Sequence, residues 1–129
     1  MTFDPHHNPC QRIEDMLLAI ASIRESVTGV TYEQFLANRE KRQSVAYDIE
    51  IIGEAANAID RSVQEKYPTI PWSDFIGMRN VLIHDYSDID FDIAWRVVSH
   101  DIDELALQIK PIYEALPPVE PLPDIVDML

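Results

Sequence analysis

Arg79, Asn80, His84 and Tyr86 stand together in Phe75-Ile-Gly-Met-Arg-Asn-Val-Leu-Ile-His-Asp-Tyr86, where polar types and spacing suit chemistry. On a helix, at about 100° per residue, Asn80 and His84 share one face, with Arg79 one step round from Asn80. Arg79 and His84 are then about 140° apart, so they converge only through the length of arginine or a distortion of the helix. Arginine supplies a permanent cation whose planar fork suits phosphate. Histidine supplies a group that titrates near neutrality. Together they are the minimum equipment for RNA cleavage without a metal, which needs proton transfer at the 2′-hydroxyl and stabilisation of a pentacoordinate phosphate. Judged by residue type alone, such a pair near a helix end more often caps carbonyls or forms ion pairs.

Other catalytic signatures are missing. Gly29, Gly53 and Gly77 are isolated, so there is no phosphate-cradling loop. There is no Glu-x-x-His pair for a di-iron bundle, no His-Glu-x-x-His and no paired cysteine for zinc. Asp4, His6 and His7 read as a frayed polar terminus rather than a metal site. His100 falls in the polar phase of the last helix, and Cys10 reads as packing rather than as a nucleophile. The expectation is an active site with neither metal nor cofactor.

The chain has 129 residues, one domain's worth, with 47% hydrophobic and 26% charged residues. No apolar run approaches the roughly 20 residues of a membrane span, no signal peptide opens the chain, and a single cysteine points to a cytoplasmic protein without disulfides. The net charge of −13 argues against broad, non-specific binding to nucleic acid or anionic lipid, which is built from Lys and Arg. It leaves room for a local cationic site.

The elements that must position the motif are helical. Asn8-Pro9 starts a helix in which Ile13, Met16, Leu17, Ile20, Ile23 and Val27 recur on one face, and Thr28-Gly29 ends it. Thr31 and Gln34 form a capping-box signal for a short helix. From Arg39 to Lys66, Val45, Ile49, Ile52, Ala56, Ile59 and Val63 alternate steps of four and three, the seam of a bundle helix. Pro68 to Pro71 breaks it, and Ser73 is placed to cap a helix running to about His84. Phe91, Trp95, Val98, Ile102, Leu105, Ile109 and Ile112 mark the last long helix, which Pro111 should kink or end. The whole is an all-α, up-and-down bundle of four to five helices with no sheet over residues 1–116, followed by a Pro-rich acidic tail over 117–129.

The motif, extended back to Ile70-Pro-Trp-Ser-Asp and with Ile51-Ile-Gly-Glu-Ala55 upstream, resembles the HepT-like branch of the HEPN family over roughly residues 11–112. The family's Arg-x4-His-x-Tyr element is complete as Arg79, His84 and Tyr86. The resemblance implies a HEPN-type bundle acting as the toxin of a bacterial toxin–antitoxin pair (type II/VII-like) and as a metal-independent endoribonuclease. It implies a homodimer in which Arg and His of two protomers meet in one cleft. It also implies a minimal nucleotidyltransferase antitoxin that transfers AMP onto the motif tyrosine. By position, Arg79 would bind the scissile phosphate, His84 act as acid or base, Asn80 orient either of them, and Tyr86 be the AMPylation site.

Several residues admit two uses. Glu54 is either a buried carboxylate supporting Arg79 or a helix-surface Glu with a nearby cation. Trp72 reads as a hydrophobic anchor rather than a base-stacking platform. Arg39, Lys41 and Arg42 read as a solvated helix start more than as an RNA guide. Asp85, Asp88, Asp90 and Asp92 follow the motif and would repel a phosphate backbone. With the net charge, they favour the alternative of a catalytically weak or inactive HEPN adaptor that binds a nucleotidyltransferase partner.

Overall fold

The structure, a computed structural model, describes residues 8–85 and 88–116, with the backbone alone for 78–85 and 88. The chain runs through α1 (Pro9–Val27), α2 (Tyr32–Ala37), α3 (Arg39–Ala58), α4 (Arg61–Lys66) and α5 (Trp72–Leu82). Two short strands follow, β1 (Ile83–Asp85) and β2 (Asp88–Ile89), then α6 (Phe91–Arg96), a π turn (Val97–Asp101) and α7 (Ile102–Ala115). The four long rods form the expected all-α bundle. α3 packs on both α1 and α5, and α7 packs on α1. The tail from 117 onward and the terminal Asp4, His6 and His7 lie outside the described residues.

Local chemistry sets most of the helix ends. Asn8 Oδ1 accepts from the Cys10 amide at 2.8 Å, with Pro9 in the first turn. Gly29, at φ +75°, takes the left-handed turn after α1. The Thr31–Gln34 capping box is complete in both directions, at 3.1 and 2.9 Å.

The apolar stripes meet where their spacing predicts. Ile13, Met16, Ile20 and Ile23 of α1 and Val45, Ile49 and Ile52 of α3 are fully buried together. Each such side chain is worth about 1.5–3 kcal/mol of apolar transfer.

Four expectations give way to tertiary detail. The rod expected from Arg39 to Lys66 breaks after Ala58, because Gln64 Nε2 donates to the carbonyls of Ala56 and Ile59 and satisfies the end of α3 in place of a continuing turn. The helix expected to reach His84 ends at Leu82, and β1 pairs antiparallel with β2, Ile83 opposite Ile89 and Asp85 opposite Asp88. That ladder gives the backbone hydrogen-bond partners a helix would otherwise supply, so a minimal sheet stands where none was expected. Pro111 does not end α7. It and Leu107, whose carbonyl its ring leaves without a helical donor, both lie on the exposed side, where water can serve.

The fourth departure is the π turn. The core positions of the last rod are Ala94, Val97, Ile102, Leu105, Ile109 and Ile112, so one step is five residues long. One extra residue in the turn keeps both halves facing the core. Phe91, Trp95 and Val98, expected in the seam, are half-buried beside it.

Spacing does not single out Asp48, which is 6% exposed on α3 within the α1–α3 layer. Burial pushes its carboxyl above the usual range, against a hydrogen bond from Ser22 that favours ionisation. One carboxylate oxygen has no hydrogen-bond partner among the described residues. A raised folded-state pKa means that this group opposes folding once pH exceeds its unfolded value, and is neutral in effect below it. Asp48→Asn is therefore expected to raise the melting temperature at neutral pH, and to lose that advantage below about pH 4, as thermal denaturation followed by circular dichroism will show.

Candidate active site

The motif sits where helical order hands over to the ladder. Arg79 and Asn80 lie in the last turns of α5, while His84 is the central residue of β1. Asn80 and His84 therefore do not share a helical face, which corrects the spacing argument: α5 stops between them. The same change of backbone frees Arg79 and His84 from the 140° separation that a continuous helix would impose. Tyr86 lies outside the described residues.

α5 is fixed at its start by Trp72 rather than capped by Ser73. Pro71 carbonyl accepts from the Asp74 and Phe75 amides at 3.1 and 3.2 Å and opens the helix. The Trp72 ring is buried, and its Nε1–H donates to the carbonyls of Gln64 and Tyr67 at 3.1 and 3.0 Å. The indole thus joins the end of α4 to the start of α5, as the anchor reading expects and not as a platform for bases. Two turns later α5 delivers Arg79.

The other end of the motif is held by α6. Asp90, directly after β2, accepts from the amides of Asp92 and Ile93 at 3.0 and 3.1 Å and caps α6. Asp92 in turn accepts from the Tyr32 hydroxyl, and that carboxylate neighbour raises the Tyr32 phenol above its ordinary pKa. The rings of Tyr32 and Phe35 pack on Trp95 at 5.9 and 5.1 Å. Arg42 lies 4.9 Å over the Phe91 ring. Two of the four aspartates flanking the motif are thereby occupied in holding α6, rather than simply set against a phosphate.

Glu54 is exposed on α3, with Gly53 and Ala55 buried beside it, so the buried-carboxylate expectation does not hold. In the cationic run, Lys41 Nζ donates to the Ser26 carbonyl at 2.8 Å near the end of α1, and Arg42 is on Phe91. Both are half-buried and serve the fold, where the sequence suggests a solvated helix start. Cys10 is buried as packing, and His100 is exposed. Among the described residues no group of three or more His, Cys, Asp or Glu is arranged to hold a metal ion. No helix among them is long and apolar enough to cross a membrane.

Comparison with known proteins covers most of the chain. The family model "Ribonuclease HepT-like" matches residues 16–112. The chain is 33% identical over 96 residues to "Putative RNase MJ1380" of Methanocaldococcus jannaschii, covering 74% of this chain and 88% of that protein. It is 31% identical over 106 residues to "Putative RNase TTE0752" of Caldanaerobacter subterraneus, covering 82% and 95%. It is 36% identical over 93 residues to "Probable ribonuclease HepT" of Thermococcus cleftensis, covering 72% and 84%. No solved structure matches the chain.

Trp72 ties the start of the motif helix to the core, so its truncation should be felt globally. Trp72→Ala is expected to lower the unfolding free energy by about 3–5 kcal/mol, measured by urea denaturation.

Proposed function

This chain belongs to the HepT-like ribonuclease family, and on that premise we propose that it is a metal-independent endoribonuclease centred on Arg79 and His84. The observation that carries the reading is the complete Arg79-x4-His84-x-Tyr86 element inside the matched residues. Arg79 steadies the charge that builds on the phosphate in the transition state. His84 takes the proton from the 2′-hydroxyl or gives one to the leaving 5′-oxygen. Asn80 orients the phosphate or the imidazole.

One histidine cannot easily work on both sides of the phosphorus at once. A homodimer in which each protomer contributes its Arg79 and His84 to a shared cleft divides the acid and base roles between two copies. In that reading the protein is the toxin of a toxin–antitoxin pair. A nucleotidyltransferase antitoxin silences it by transferring AMP from ATP to the Tyr86 hydroxyl with release of pyrophosphate, which adds bulk and a negative charge to the motif.

The net charge of −13 favours a second reading, an adaptor with the same fold and Tyr86 target but little nuclease activity. Purified protein of confirmed unmodified mass, assayed on RNA in excess EDTA, separates the two. Cleavage by wild type with a loss of about 100-fold or more in His84→Ala supports the nuclease. Intact RNA after incubation with unmodified, dimeric wild type supports the adaptor. Incubation with a cognate nucleotidyltransferase and ATP is expected to add one AMP to wild type and none to Tyr86→Phe, by intact mass.

A further inference from the structure

A groove of about 450 Å³ lies between the first half of α5 and the rod that runs through α6, the π turn and α7. Its floor is apolar, made by Phe75, Val97 and Leu105 of the buried core. Its rim is polar and exposed, with Asp74 on α5 facing Arg96, His100, Asp101 and Glu104 across the opening. Gln108 also lines it, donating from Nε2 to Glu104 at 3.2 Å, while its Oε1 has no hydrogen-bond partner among the described residues. Nothing in the mechanism above uses these residues.

The rim chemistry selects a class of ligand. Three carboxylates against one guanidinium make a poor seat for a phosphate and a good one for N–H donors. Arginine and histidine are side chains on whose planes unstacked RNA bases lie, and the apolar floor suits a flat ring. The volume falls within the usual range of small-ligand sites, about 300–1,000 Å³. Among bases, guanine alone presents two adjacent donors, N1–H and N2–H, matched to the two oxygens of one carboxylate. Uracil flanks its single N–H with two carbonyls that carboxylates repel, and adenine and cytosine set a ring acceptor beside the amino group.

Two further features single out the groove. His100 and Asp101 belong to the π turn, a distortion that in α-helices concentrates at functional sites. Phe75 and Arg79 are four residues apart on α5, so Arg79 stands one turn farther along the same helical face, about 6 Å along the axis.

We infer that this groove is a guanine subsite, taking the base of a nucleotide close to the scissile phosphate, with Glu104 reading the N1–H and N2–H edge. The ligand class rests on the RNA reading above. The test separates the two by using mononucleotides, which require no cleavage. Isotope-labelled full-length protein is titrated with GMP, AMP, CMP and UMP and followed by amide chemical shifts. The expected result is a set of shifts centred on His100, Glu104 and Gln108 that saturates at about 10-fold lower concentration for GMP than for UMP. Glu104→Gln, close in size and shape, is expected to abolish that difference while leaving the rest of the spectrum in place.

An equal response to all four nucleotides overturns the inference, as do shifts centred elsewhere or no response. So does an oligolysine peptide that displaces GMP from the same residues at lower concentration. Selective GMP binding by a protein that leaves RNA intact in EDTA would support the subsite and reject the nuclease. RNA cleavage by a protein indifferent to GMP would do the reverse.

Discussion

Burial of the apolar stripe on α3 is the constraint on which the other elements depend. Val45, Ile49 and Ile52 are fully buried, and α3 touches α1, α2, α5 and α6. Close-packed interiors transmit the position of one side chain to the next. A helix so surrounded therefore sets the distance and rotation of its neighbours. α5 rests on this surface, and the motif rests on α5. The site is placed by packing at its two ends, through Trp72 before the motif and through Asp90 and the Tyr32–Phe35–Trp95 cluster after it.

Electrostatics follows the same logic of local use within an unfavourable whole. A charge of −13 repels RNA at long range, and within about 8–10 Å at ordinary salt the arrangement of individual groups decides. Around the motif, Asp90 is occupied as a helix cap and Asp92 as the acceptor for Tyr32. Lys41 and Arg42, in the densest cationic run, hold α1 and Phe91. Between α5 and the last rod, carboxylates are exposed around an apolar groove, where the chemistry they offer is acceptance of N–H donors.

The π turn serves the core and shapes the groove in one feature. A regular helix through residues 97–102 would carry Ile102 and its followers off the core face set by Ala94 and Val97. The five-residue step restores the alignment. It also sets His100 and Asp101 on the groove. The sequence offers little sign of it, because Phe91, Trp95 and Val98 continue the later periodicity smoothly and suggest an undistorted rod. The presence of Ala94 as a core residue is the one clue, and a small side chain gives a weak signal.

What the sequence by itself determined is the local and the periodic. The caps at Asn8 and Thr31, the turn at Gly29, the apolar faces of α1 and α3 and the all-α class all follow from interactions within a few residues or from a repeat of 3.6. So does the presence of Arg79, Asn80, His84 and Tyr86 in one segment, since order along the chain is sequence itself. Tertiary structure alone decided where regularity stops: the break after Ala58, the end of α5 at Leu82, the ladder from Ile83 to Ile89, the π turn and the exposure of Glu54. Each depends on a competition between equally good backbone hydrogen bonds or on how the helices pack. Gln64 reaches back to Ala56 and Ile59, β2 offers β1 its pairing, and the core demands one more residue in a turn. Local propensity differs between such alternatives by well under 1 kcal/mol per residue, and packing settles them.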